Sequence, residues 1–187
     1  MDNFAVPRNE KMLEIKTQNL VLLALDYESL CLLKKDRILL ENHLELNFAD
    51  HQLSEEIKTE IKNDLKFRID DVLENPAHFE WYTFWEIILK SQHISIGGIA
   101  LSGYPDHTGT TSISYFIDKR QRGKGYATEA VTAMTGWAFR NEKLKTIHAL
   151  SPSKNKNSQR VLQKCGFIKG KSNADIINWE LKRETTI

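Results

Sequence analysis

Residues 120–125 read Arg120-Gln121-Arg122-Gly123-Lys124-Gly125, between a strand-like run, Ser112–Asp118, and a helical pattern that begins at Tyr126. Two glycines one residue apart let backbone N–H groups come close to an anion. A helix start adds unpaired donors and the positive end of its dipole. Arg120, Arg122 and Lys124 add charge with no acidic residue among them, so the chemistry on offer is phosphate binding. Two nucleotide motifs fail on spacing. A P-loop needs Gly, four residues, then Gly-Lys-Ser/Thr. The dinucleotide fingerprint needs Gly or Ala three residues after the second glycine, where Thr128 stands.

The elements that must position this loop are legible from periodicity. Leu20–Leu25 reads as a first strand, with Leu13–Lys16 leading into it. Asp26 caps a helix holding Leu30, Leu32 and Leu33, and Asp36–Leu46 continues as helix. Ser54 opens a longer one with Ile57, Ile61, Leu65, Ile69 and Leu73 on one stripe, ended by Asn75-Pro76. Trp81–Leu89, Ile94–Ser102 and Thr110–Asp118 read as strands joined by turns at Ser91–His93 and Tyr104–Gly109. Beyond the loop, Ala127, Val131, Met134 and Ala138 form a helix face, widened by Ala130 and Trp137. Thr146–Leu150 is a strand, Ser151–Asn157 a loop, Ser158 a helix cap, Gly166 the residue after that helix, and Asp175–Leu181 a last strand. An antiparallel meander followed by helix, strand, helix, strand predicts a mixed α/β sheet with a crossover.

Composition narrows the class. The chain has 187 residues, 41% hydrophobic and 27% charged, and reads as one domain. A net charge of +1 argues against a dedicated nucleic-acid binder. Cys31 and Cys165 form neither a disulfide framework nor a metal pair and read as reduced apolar fillers of a cytoplasmic protein. The six histidines are scattered without a His-x-x-x-His pair, so no metal is expected. The first residues make no signal peptide, and no apolar run reaches the length of a membrane span.

Arg120-x-x-Gly123-x-Gly125 resembles the acetyl-CoA pyrophosphate loop of the GNAT superfamily of N-acetyltransferases, whose pattern is Arg/Gln-x-x-Gly-x-Gly/Ala. Gly123-Lys124-Gly125-Tyr126-Ala127-Thr128-Glu129-Ala130 is similar to the Rim-type branch, which includes ribosomal-protein N-terminal acetyltransferases. Thr17–Leu22, Ser114–Asp118, Asn155-x-x-Ser158-x-Arg160-Val161-Leu162 and Lys164-Cys165-Gly166-Phe167 match in order, so the resemblance covers roughly residues 15–182. It implies a GNAT fold: a mostly antiparallel sheet of about six to seven strands, helices on both faces, and parallel strands four and five splaying apart. The pantetheine arm of acetyl-CoA would enter that gap and pair with backbone groups of Phe116, Ile117 and Asp118. Arg120, Arg122, Gly123, Lys124, Gly125, Tyr126 and Ala127 would hold the pyrophosphate, and Asn155 would bond the arm from the other side. The branch also allows a homodimer.

The implied reaction is direct attack of a primary amine on the thioester. Ile117 N–H would stabilise the developing oxyanion. Many family members serve the departing thiolate with a tyrosine where this chain has Leu162; here Ser158 would hydrogen-bond the sulfur. No base stands out. Glu86 and Tyr115 are candidates with equally good structural roles, and Glu129 reads as a helix-start charge. Deprotonating an α-amine at neutral pH costs about 1 kcal/mol against about 4.6 kcal/mol for a lysine, so the missing base leans toward a peptide or protein α-amine, with a small amine the other acceptor class. Trp81, Trp85, Phe79 and Phe84 either line the acceptor cleft or fill the core, and His93, His107 and His148 read as surface or satisfied residues. Two rival readings are a catalytically silent acyl-CoA-binding protein and a nucleic-acid module using Lys154, Lys156, Arg160 and Lys164.

Overall fold

A computed structural model describes residues 12–184. Eight strands form one sheet in the order β1-β2-β3-β4-β5-β6-β8-β7. They are β1 (Glu14–Lys16), β2 (Leu20–Ala24), β3 (Phe84–Leu89), β4 (Ile94–Leu101), β5 (Thr110–Ile117), β6 (Thr146–Pro152), β7 (Ile168–Ser172) and β8 (Ile176–Lys182). Every neighbouring pair is antiparallel except β5–β6. A parallel pair needs a crossover, and α4 (Tyr126–Ala138) supplies it.

The count exceeds the expected six to seven by β1, which stands as a separate short strand, and by β7, which the sequence hid. Ile168–Ser172 carries Lys169, Gly170 and Lys171 and no alternating pattern, because an exposed edge strand has no buried face to select one. The strand expected from Trp81 begins only at Phe84. Pro76 starts a 3-10 turn over Pro76–Trp81, and Tyr82 and Thr83 N–H groups both close on Phe79 O. Trp81 and Trp85 are buried against Trp137, with ring centroids 4.9 and 5.2 Å apart, so these aromatics build core and not a cleft.

Three helices cover one face: α1 (Tyr27–Lys35), α2 (Arg37–His43) and α3 (Glu55–Glu74). Asp26 and Asp36 cap the first two through Ser29 N–H at 2.8 Å and Ile38 N–H at 2.7 Å. The second ends at His43 and not at Leu46, because Glu45 turns into a positive φ of 54°. Leu25, Phe84 and Ala100 pack beneath these helices with Leu30, Leu40, Leu65, Ile69 and Val72. Strand alternation sends Leu20, Leu22, Ile87, Ile99, Ile113 and Ile117 to the other face. There α4 and α5 (Lys156–Lys164) seal a larger core with Val131, Met134 and Leu162. Each such aliphatic side chain contributes about 1.5–3 kcal/mol when fully buried. At Gly97 a Cβ would lie 2.2 Å from Phe116 O, so β4 and β5 approach there closer than any side chain permits.

Candidate active site

The parallel register of β5 and β6 runs from Thr110↔Thr146 to Ile113↔Ala149 and stops. Beyond it, β5 stays paired with β4 as far as Ile117, and β6 stays paired with β8 as far as Pro152. The two strands therefore diverge, each still held on its outer side, and a wedge opens in the sheet. Alternation decides which backbone groups face it. Asp118 N–H donates to Ile96 O at 2.8 Å, so Asp118 and Phe116 turn toward β4, while Tyr115 and Ile117 turn toward the wedge. Of the three residues expected along the wedge, Ile117 presents its backbone there, and Tyr115 joins it.

The glycine loop lies where β5 leaves the sheet. Asp118 Oδ1 accepts from Arg120 N–H at 2.8 Å and starts a 3-10 turn over Lys119–Gln121. Gly123 and Gly125 then adopt φ of 79° and 90°, a region costly to side chains, and a Cβ at either would meet nothing within 4 Å. The glycines are needed for the backbone path, and they leave its surface bare. Glu129 N–H, bonded to Gly125 O at 3.0 Å, is the first to close α4. Among the described residues, the N–H groups from Arg122 through Thr128 donate to no protein acceptor. Tyr126 and Ala127 are half-buried against the core and anchor the helix start.

The basic side chains do not all converge. Arg120 lies 3.4 Å from Asp50 and 3.7 Å from Asp118, Arg122 Nε donates to Ile117 O at 3.0 Å, and Lys124 Nζ donates to Gln121 Oε1 at 2.8 Å. The loop lacks an acid in sequence but gains two in space. What the loop leaves unpaired among the described residues is therefore its backbone donors.

Across the wedge, α5 begins one turn earlier than the sequence suggests. Asn155, not Ser158, is the cap: its Oδ1 accepts Ser158 N–H at 3.1 Å, and β6 runs on to Pro152. Asn155 wins because its non-helical backbone sets an acceptor three residues ahead of the N–H it satisfies. Ser158, freed from capping, places Oγ 3.0 Å from Tyr115 Oη. Burial pushes the Tyr115 phenol up to about 12 against the opposing hydrogen bond of Ser158. Leu162 is fully buried in the core. Gly166 follows the helix with φ of 84°, as expected.

Glu86 is not free to act as a base. Arg37 holds both its oxygens, at 3.0 and 2.6 Å, and Ser95 Oγ donates to it as well. The same Arg37 begins a buried network that the sequence did not announce. His51 Nε2 lies 2.9 Å from Glu41 Oε1 and 3.3 Å from Arg37 Nε. One ring nitrogen cannot donate and accept at once, and the shorter carboxylate contact takes the proton. His51 Nδ1 is 3.8 Å from Asp118 Oδ2, which also accepts Gln52 N–H at 2.6 Å. Burial pushes the Asp118 carboxyl up, but the N–H bonds from Arg120 and Gln52 outweigh it and hold it below the usual carboxylate range. Glu129 follows the same logic: burial is overcome by bonds from Thr17 and Asn19, and the carboxylate ties α4 to the β1–β2 turn. No group of three or more His, Cys, Asp or Glu side chains among the described residues could hold a metal ion. No helix among them is long and apolar enough to cross a membrane. Both cysteines are free thiols.

A sheet split between one parallel pair, with a bare glycine loop at the mouth of the split, is the arrangement the sequence resemblance implied. The acetyltransferase (GNAT) domain family matches residues 26–168, and the chain belongs to that family. It is 34% identical over 95 residues to the uncharacterized N-acetyltransferase YjdG of Bacillus subtilis, covering 51% of this chain and 56% of that one. It is 47% identical over 60 residues to the probable N-acetyltransferase YjcK of the same organism, covering 32% of this chain and 33% of that one. The chain thus spans about half or less of the curated relatives it matches. Among solved structures, RimL, a ribosomal L7/L12 α-N-protein acetyltransferase in complex with coenzyme A, superposes with a TM-score of 0.63 at 15% identity over 91% of this chain and 98% of that one. A ribosomal-protein-S5-alanine acetyltransferase from Vibrio fischeri gives 0.62 at 17% identity over 91% and 96%. At these identities the likeness establishes the fold.

Proposed function

We propose that this protein transfers acetyl from acetyl-CoA directly to a primary amine, with a peptide or protein α-amine as the acceptor class and a small amine as the second. The single observation that carries the donor half is the run of unpartnered N–H groups from Arg122 through Thr128 at the mouth of the β5–β6 wedge. A pyrophosphate fits that bare surface at a helix start. Residues 120–127 would hold it. Tyr115 and Ile117 would offer backbone groups to the pantetheine arm as an added strand does. Asn155 Oδ1 caps α5, and its Nδ2, which donates to no acceptor among the described residues, would bond the arm.

Bound in the wedge, the co-substrate supplies the activated acetyl group. Ile117 N–H is the donor for the developing oxyanion. Ser158 Oγ–H is placed to hydrogen-bond the departing sulfur. Glu86, the carboxylate weighed as base, is locked by Arg37, which favours an amine that loses its proton cheaply. Membership of the family and the near-neutral charge weigh against a nucleic-acid module.

Free CoA release across an acceptor panel tests the reading. A peptide with a free N-terminus should turn over and the same peptide blocked should not, with spermidine and an aminoglycoside as small-amine arms. Acetyl-CoA binding without transfer to any of them would leave a silent binder. The absence of acetyl-CoA binding would overturn the proposal.

A further inference from the structure

Position 162, where many family members carry a tyrosine, is a leucine here, and the tyrosine that meets Ser158 comes from β5. Leu162 is fully buried, so its position reaches the core and not the wedge. Tyr115 sits on β5, on the strand register that faces the wedge, and spans it to reach α5. Its Oη lies 3.0 Å from Ser158 Oγ and 3.3 Å from the acceptor Ser158 O, and with a single proton to give, the phenol directs it to the shorter contact, the serine hydroxyl oxygen. Among the described residues the phenol bonds only these two atoms, and the Ser158 hydroxyl bonds only the phenol. No other described residue bonds the serine hydroxyl, and Asn155 takes over the capping role.

We infer that Tyr115 is a positioning residue for the leaving group: its Oη–H donates to Ser158 Oγ, which turns Ser158 Oγ–H toward the coenzyme sulfur. The inference rests on the reading that Ser158 contacts that sulfur. A serine hydroxyl has one proton to give and two lone pairs to fill. When the phenol fills one lone pair, the serine proton is directed away from it, and a chain of two hydroxyls polarises in one sense.

The chain transfers no proton outright. As the amine nitrogen bonds to the acetyl carbon, the carbon–sulfur bond breaks and its electron pair stays on sulfur. The nitrogen releases its proton to water. A thiol ionises near 8.5 and this phenol, raised by burial, at about 12. Moving the phenolic proton to the thiolate is therefore disfavoured by about three orders of magnitude, whereas donating a hydrogen bond toward it carries no such penalty. The buried phenol keeps its proton across the working pH range, which a permanent donor requires.

The test is Tyr115→Phe, which keeps the ring and removes the oxygen, measured alone and with Ser158→Ala using acetyl-CoA and the best acceptor of the panel. Tyr115→Phe should lower kcat about tenfold with the acetyl-CoA KM unchanged, the size of one hydrogen bond of about 1.4 kcal/mol. In the Ser158→Ala background the same change should cost nothing further. An unaltered kcat for Tyr115→Phe, with Ser158→Ala slow, overturns the role of the tyrosine and leaves the serine in place. A full second tenfold loss in the Ser158→Ala background also overturns it, because Tyr115 then acts apart from the serine. Normal turnover of Ser158→Ala removes the serine reading itself. Equal thermal midpoints for the three variants show that the comparison is between folded enzymes.

Discussion

The two faces of the sheet treat polar groups in opposite ways. On the side of α4 and α5, the wedge and the glycine loop hold out backbone donors that no described residue uses. On the side of α1–α3, polar side chains are paired almost to completion: Arg37 with Glu86, Glu41 with His51, Asp118 with Gln52 and Arg120. Glu41 Oε2 is the one buried side-chain oxygen or nitrogen without a partner among the described residues. In the proposed function the unused donors are the recognition surface for acetyl-CoA, while the paired charges are a framework. One face leaves backbone donors unpaired among the described residues, and the other ties the strand ends and the 44–54 segment in place.

Breaking the framework should give the largest effect. Arg37→Ala leaves the buried Glu86 carboxylate uncompensated and should cost about 3–5 kcal/mol, read as a lower urea midpoint, with acetyl-CoA affinity of the folded fraction preserved. A stability loss below 1 kcal/mol would mean that the pairing is not what holds that face. Damaging the recognition surface should do the reverse. Gly125→Val disturbs the left-handed turn and its bare donors, and should weaken acetyl-CoA binding about a hundredfold in a titration, the loss of one or two charge-assisted bonds. The strain adds about 1–2 kcal/mol to the folding cost.

The elements behind this contrast were unequally legible. Arg120–Gly125 is contiguous, so spacing alone exposes it, and the long helices declare themselves by their stripes. The framework joins residues far apart in sequence: Arg37, His51, Glu86 and Asp118 come from different elements and share no spacing. β7 lacked a buried face to imprint alternation. Ser158 looked like a cap because serine is a good one, but Asn155 competes for the same helix end and wins. Trp81 carried β propensity that the turn after Pro76 overrode in favour of core packing.

Smaller changes sharpen the comparison. Glu129→Ala removes the acceptor for Thr17 and both Asn19 donors and should cost about 1.5 kcal/mol in urea unfolding. Acid should act through the same kind of group. Asp118 and Glu129 have folded values below their unfolded ones, so their contribution is present above the unfolded range and is lost as pH falls through the folded values. Urea midpoints should therefore drop between neutral and acid pH, and Asp118→Asn should show a shallower drop than the parent. Lys124→Ala, which removes an exposed charge and no backbone donor, should weaken acetyl-CoA binding by about fivefold at most, with the difference fading in high salt.

The joint between the 44–54 segment and the start of the glycine loop is made largely of main chain. Gln52 brings its N–H to Asp118 Oδ2 and its carbonyl to Lys119 N–H, and its side chain takes no part in either bond. A joint of this kind is blind to the letter written at position 52. Only proline, which has no N–H, is barred from it. Substitutions at outward-facing residues of the segment, the exposed Phe48 among them, leave the docking on the same carboxylate untouched. The fold thereby separates a position whose side chain the joint needs, the aspartate that follows β5, from one whose side chain it does not.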